Sequence, residues 1–302
     1  MALVDPNRLF PLDDKCLCLA REIYNTVKTL PLISPHGHCD PSWFSENLRF
    51  PNPAQLFVVP DHYIFRMLVS QGIPMTDLGV RSVDNSKFEK DPRKIWTNFS
   101  QNYYLFRGTP TAMWLDYSFE KVFGLTEPLT SENSEFYFNH IEEKLAQSKF
   151  LPRALFDKFN IEVLATTDSA LSDLPYHQNL NDSTWDRRVI PTYRPDSVVD
   201  PEFKGFKSNL KTLGELTGED TYSWRGYINA HRLRRLFFKK MGATATDHGH
   251  SSARTENLSL RDAEKLFKLI LTDEFNLEDA DQFRGQMLTE MAKMSCEDGL
   301  VM

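Results

Sequence analysis

Short apolar runs that stop in polar, chemically capable residues constrain this chain more than any other feature. Leu30 to Ile33 runs into Ser34-Pro35-His36-Gly37-His38-Cys39-Asp40, and Ile161-Glu162-Val163-Leu164-Ala165 runs into Thr166-Thr167-Asp168. Arg188-Val189-Ile190 leads to Pro191-Thr192-Tyr193-Arg194-Pro195-Asp196, and Ala243-Thr244-Ala245 to Thr246-Asp247-His248-Gly249. The first run reads as the end of a buried strand. Helical stretches at 206–216 and 222–240 fall between the later runs, and a longer one at 259–295 follows them. Such alternation predicts βα units and a parallel sheet. Functional groups collected at strand C-terminal ends are the pattern of a (β/α)8 barrel. Gly299-Leu300-Val301-Met302 begins a further strand, so four strands and the start of a fifth are expected.

The rest of the chain is mostly helical. Leu17, Ala20, Ile23, Tyr24 and Val27 recur at helical spacing over 13–29, and Pro31 ends that helix. Residues 41–159 read as a large helical insertion after the first strand, within one barrel domain covering 1–302. Inside it, helices are expected at 62–71, at 84–107 with a start signal at Asp91-Pro92, and at 134–147, where Phe138, Ile141 and Leu145 share a face.

Bulk properties exclude several classes. Lys and Arg number 35 against 42 Asp and Glu, a formal charge of −7, which argues against nucleic acid as a partner. No apolar run approaches the roughly 20 residues of a membrane helix. The start, Met1-Ala2-Leu3-Val4-Asp5-Pro6, has no basic region before an apolar core, so no signal peptide is expected. Cys16, Cys18, Cys39 and Cys296 are too sparse for a disulfide framework and fit reduced thiols in a cytoplasm. Cys16-x-Cys18 reads as helix packing.

Five clusters could carry chemistry. In extended backbone His36 and His38 point the same way and can present two imidazoles to one divalent metal, or simply make loop hydrogen bonds. Asp61-His62-Tyr63 joins an acid, an imidazole and a phenol, with Asp61 also suited to cap a helix. Asp168 either caps the next helix or hydrogen-bonds inside the barrel mouth. Arg194 has the fork that grips a carboxylate bidentately, or it pairs with Asp196 or Asp168. Asp247-His248 can ligate metal, orient a ligand histidine or move protons, with His250 an exposed extension. The basic run His231-Arg232-Leu233-Arg234-Arg235, with Lys239 and Lys240, is most simply the solvated face of a helix.

In this order, the five clusters resemble uronate isomerase (glucuronate isomerase), a branch of the amidohydrolase superfamily. The segments that carry the likeness are Ser34-Pro35-His36-Gly37-His38, Pro60-Asp61-His62-Tyr63, Ala165-Thr166-Thr167-Asp168 with Ser172-Asp173-Leu174-Pro175-Tyr176-His177, Pro191-Thr192-Tyr193-Arg194-Pro195-Asp196 and Thr246-Asp247-His248-Gly249. The resemblance implies interconversion of D-glucuronate with D-fructuronate, and of D-galacturonate with D-tagaturonate, on a distorted barrel of the metal-dependent hydrolase type. It implies zinc or a similar divalent ion held partly by His36 and His38, with His62, Tyr63, Arg194 and Asp247 in the active site. Asp168 and His248 are expected to contact substrate. A uronic acid is the expected small-molecule partner, with homo-oligomerisation left open.

Uronate isomerases continue past Leu300-Val301-Met302 into strands carrying another histidine, an aspartate metal ligand and an arginine. The 302 residues are therefore expected to be the N-terminal part of a longer enzyme. Two alternatives stand beside the isomerase. One is a metal-dependent hydrolase of the amidohydrolase superfamily, which would want further metal ligands at the inner strand ends. The other is a non-catalytic remnant of the barrel.

Overall fold

A ladder of parallel pairings in chain order organises the structure, a computed structural model that describes residues 3–83, 87–186 and 188–302. The strands are β1 (Leu32–Ser34), β2 (Ile161–Ala165), β3 (Asp168–Ser169), β4 (Arg188–Ile190) and β5 (Tyr193–Arg194). The helices are α1 (Asp14–Val27), α2 (Pro41–Glu46), α3 (Pro53–Phe57), α4 (His62–Ser70), α5 (Pro92–Gln101), α6 (Pro110–Tyr117) and α7 (Ser134–Leu145). They continue as α8 (Pro152–Lys158), α9 (Pro175–Asn181), α10 (Asp196–Val199), α11 (Phe206–Thr217), α12 (Trp224–Lys240), α13 (Leu260–Thr272) and α14 (Leu277–Asp298).

The chain divides into two compact units. One joins the residues up to Leu30 with Asn47–Phe159; the other joins Pro31–Glu46 with Asn160–Met302. The first is helical, and its core gathers Trp96, Phe99, Phe119, Tyr137, Phe138 and Ile141. The apolar spacing over 134–147 accounts for α7, whose Phe138, Ile141 and Leu145 are buried. Asp91 caps α5 by accepting from Arg93 N, and Pro92 fits the first helical position, where its missing N–H costs nothing. That helix starts at Pro92 rather than at 84, and residues 84–86 lie outside the described ones. α1 forms where its spacing predicts, yet none of its residues is buried, and Cys16 and Cys18 are exposed rather than packed.

In the second unit β1 pairs with β2, β2 with β4, and β3 with β5, all parallel. Single bridges carry the ladder on, Tyr193 to Thr246 and Ala245 to Val301, again parallel. The amides of Thr166, Asp168 and Ala170 donate to the carbonyls of Ile190, Thr192 and Arg194, so β2 and β3 form one continuous stave beside β4 and β5. The first strand is not buried: Leu32 is 55% and Ile33 64% exposed. β1 is an edge, hydrogen-bonded on one side only among the described residues. The expected strand at 243–249 reduces to its two bridges.

Against this ladder pack α11 to α14, around Tyr227, Phe238, Phe267, Phe283 and Met287. The helical stretch expected over 259–295 is two helices. Asp273 takes the left-handed conformation (φ 59°), and an Asn276–Asp279 capping box starts the next helix. The basic run on α12 is a second departure. Arg232, Lys239 and Lys240 are exposed, whereas His231, Arg234 and Arg235 are buried. Arg235 is drawn inward by Asp298, which receives its Nε at 2.6 Å and Nη2 at 3.0 Å. Arg234 donates to the carbonyls of Ala170 and Ser172. Among the described residues no helix is long and apolar enough to cross a membrane.

Candidate active site

The strand-end residues of the second unit form a connected set. Thr167 Oγ1 donates to Gly37 O at 2.9 Å, which ties the His36–His38 loop to the end of β2. A side chain at Gly37 would meet Ala165 O at 3.1 Å, so the loop approaches the strand closely there. The two imidazoles converge, with His36 Nε2 and His38 Nε2 3.2 Å apart. Two nitrogens bound tetrahedrally to one divalent ion at about 2.0–2.1 Å would sit about 3.4 Å apart, so the pair fits as half of a metal's donor set. Among the described residues no group of three or more His, Cys, Asp or Glu side chains is arranged to hold a metal.

Asp247 stands between this pair and Arg194. Its amide donates to Tyr193 O, which sets the residue beside β5. Its Oδ2 lies 3.4 Å from His36 Nδ1 and accepts from Arg194 Nη1 at 3.1 Å. A carboxylate on the far nitrogen of a ligand histidine fixes tautomer and ring orientation. Arg194 also donates from Nε to Asp196 Oδ2 at 2.6 Å. Burial works against its charge, but the hydrogen bond and charge of Asp196 and the charge of Asp247 outweigh it and raise its pKa. The ion pair with Asp196 weighed from the sequence is present, and the arginine keeps about a third of its side chain exposed.

Asp168 does not cap the next helix. Leu174 occupies the N-cap of α9, with no side-chain cap. Instead Thr166 Oγ1 donates to Asp168 Oδ2 at 2.7 Å and receives His177 Nε2 at 2.9 Å. His177 is wholly buried, its Nδ1 has no partner among the described residues, and burial lowers its pKa against the opposing charge of Asp168. His248 Nε2 reaches Thr246 Oγ1 at 3.0 Å. Burial, then His250, push the His248 pKa down to about 4, with Asp196 and Asp247 opposing. His250 is half-buried rather than exposed.

His62 and Tyr63 belong to the first unit. Asp61 caps α4 by accepting from Tyr63 N at 2.8 Å and Ile64 N at 3.4 Å, as its place before the helix predicts. The His62 and Tyr63 rings lie 4.3 Å apart, and the Arg66 guanidinium sits 5.4 Å over the Tyr63 ring. Tyr63 is 50% exposed.

Sequence reasoning offered Asp196 only as an ion-pair partner of Arg194 and gave no role to Gly249, Thr166 or His177. Their signal is only their closeness in sequence to strand ends. Of their contacts, it is that of Gly249 with Asp196 that joins distant segments, 53 residues apart.

A family model described as glucuronate isomerase matches residues 11–302. The chain is 51% identical over 300 residues to the uronate isomerase of Rhizobium meliloti (strain 1021), covering 99% of this chain and 64% of that protein. It is 53% identical over 302 residues to the uronate isomerase of Mesorhizobium japonicum, covering 100% and 64%. A crystal structure of glucuronate isomerase from Caulobacter crescentus superposes with a TM-score of 0.95 at 48% identity, over 100% of this chain and 63% of that one. The uronate isomerase structure from Thermotoga maritima, at 22% identity and a TM-score of 0.85 over 97% and 62%, shares the fold. This chain thus spans about 64% of the length of the curated relatives it matches.

Proposed function

The chain belongs to the glucuronate isomerase family, and on that premise we propose that it serves as a uronate isomerase, an intramolecular oxidoreductase. It would interconvert D-glucuronate with D-fructuronate, and D-galacturonate with D-tagaturonate, in the cytoplasm. One observation carries this reading. A carboxylate-gripping arginine and a converging histidine pair meet at a single oxygen, Asp247 Oδ2. A uronic acid needs both features, one for its carboxylate and one for its carbonyl and hydroxyls. The five chain-order parallel neighbours support the finer reading of the sheet as part of a (β/α)8 barrel of the metal-dependent hydrolase type. On that reading residues 41–159 are its helical insertion.

His36 and His38 would hold a divalent ion, zinc by the donor chemistry, and when bound it would polarise or orient substrate oxygens. The remaining work falls to the chain's own groups. Arg194 receives the substrate carboxylate. Isomerisation takes the proton from C2, passes through an enediol and returns a proton to C1, while a second proton moves from O2 to O1. Tyr63 or His62 handles the hydroxyl proton. Asp247 binds a sugar hydroxyl or assists ring opening, and Asp168 and His248 meet the other hydroxyls. A hydrolase or a non-catalytic remnant fits less well, because the matched family and relatives are isomerases by name.

The test is ketose formation from D-glucuronate with zinc present, by this chain and by a chain of the relatives' full length. His36→Ala should abolish turnover. Arg194→Met should weaken uronate recognition at least tenfold, since a hydrogen bond to a charged group contributes about 1.5–3 kcal/mol. An equal loss on a neutral aldose would remove Arg194 from carboxylate binding, and a full-length chain without ketose product would overturn the proposal.

A further inference from the structure

Arg194 can recognise a carboxylate only if its guanidinium is held in one orientation, and three observations bear on what holds it. Asp196 is two residues along, just past Pro195, on the short helix whose Val198 and Val199 are buried. Its two oxygens are divided between two partners: Oδ2 accepts from Arg194 Nε at 2.6 Å, and Oδ1 accepts from Gly249 N at 2.9 Å. Gly249 closes the third side. A Cβ at that position would lie 2.7 Å from Asp196 Oδ2 and 2.8 Å from Arg194 Nη2. Glycine is needed there for space, because backbone and ion pair touch.

We propose that Asp196, seated on the Gly249 amide, is the positioning residue of the site. By occupying Nε it closes the Nε/Nη2 side of Arg194 to ligands, so that a substrate carboxylate can be met only end-on, by Nη1 and Nη2. The inference rests on the uronate reading for the identity of that carboxylate, and on geometry alone for the pinning. Asp196 does not touch substrate, since both its oxygens are engaged within the protein. Nη1 is shared with Asp247, so an incoming carboxylate replaces or joins Asp247 on that nitrogen. An exposed ion pair contributes little to stability. Asp196 keeps only 21% of its side chain exposed, and its value lies in direction rather than in stability.

The expected signature is an Arg194 Nε–H that exchanges slowly with water. In nitrogen-15 NMR of this 302-residue chain it is identified by its loss in Arg194→Lys. Asp196→Asn offers one oxygen where two are needed, so either Arg194 Nε or the Gly249 amide meets an NH2 group. Exchange of that Nε–H should rise at least tenfold in Asp196→Asn and in Gly249→Ala, with cooperative thermal melting showing that both variants remain folded. An Nε–H that exchanges as fast in the wild type as in exposed arginines, or that is unchanged in folded Asp196→Asn, would overturn the inference. D-glucuronate, with D-glucose as the neutral control, is then titrated against the same signal in a chain of the relatives' full length. Weakening of glucuronate binding by tenfold or more in Asp196→Asn supports end-on recognition, and binding equal to wild type overturns it. A wild-type signal that ignores glucuronate overturns the uronate reading, while the exchange data still decide the pinning.

Discussion

His231 shows how a single residue can govern the response to acid. It is wholly buried, accepts the Tyr193 hydroxyl on Nδ1 at 2.7 Å, and has Nε2 without a partner among the described residues. Burial, reinforced by Arg235 and His248, pushes its pKa down to about 3. The folded value lies below the unfolded one near 6.5, so the fold favours the neutral ring. Its contribution is therefore complete above about pH 6.5 and is lost as pH falls towards 3, at up to about 1.4 kcal/mol per pH unit. Stability measured by urea denaturation should fall from pH 7 to 4, with His248 adding to the slope, and His231→Gln should make the fall shallower. At this scale the sequence was informative about His36 and His38, because i and i+2 in extended backbone face one way. It offered Asp196 as a partner of Arg194 but was silent about Asp247, which is 53 residues away with nothing local to announce the meeting. Gly249 was equally hidden, because the need for glycine arises from the side chains of Arg194 on β5 and Asp196 on α10.

Among the elements, periodicity located helices better than it located burial. The spacing over 13–29 gave α1, yet its apolar face is open, with Ile23 67% exposed. The basic run on α12 looked like a solvated face, yet Arg235 has no exposed side chain. What reverses that reading is Asp298 at the end of α14, 63 residues on, together with Ser295 on the same helix. Arg235 thus fastens α12 to α14. Asp298→Ala should leave a buried cation unpaired and destabilise the protein by an amount near the low end of about 3–5 kcal/mol, since Asp298 itself is partly exposed. Urea denaturation measures this, and a loss below 1 kcal/mol would show that the pair contributes nothing beyond packing. The short strands were legible as apolar runs with polar ends. Their splitting was less so, although Pro191, which lacks an N–H, lies in the gap between β4 and β5.

For the molecule as a whole, the alternation of strands and helices pointed to a parallel α/β sheet, and the family matches bear that out. The interleaving of the two units also sets a schedule. The Thr167–Gly37 hydrogen bond closes across 130 residues, and most of the intervening chain belongs to the helical unit. At the usual pace of synthesis, 5–20 residues per second, the histidine loop waits on the order of ten seconds for the strand that will hold it. Throughout that interval residues 47–159, together with those up to Leu30, are free to condense, because these segments form one compact unit. Ribosome-stalled chains ending before residue 160 should therefore show protease-resistant α5 and α7 beside a cleavable segment at 31–46. Chains extended beyond residue 195 should lose that cleavage. The histidine pair placed early in the sequence thus comes under tertiary control only after the helical segment that follows it.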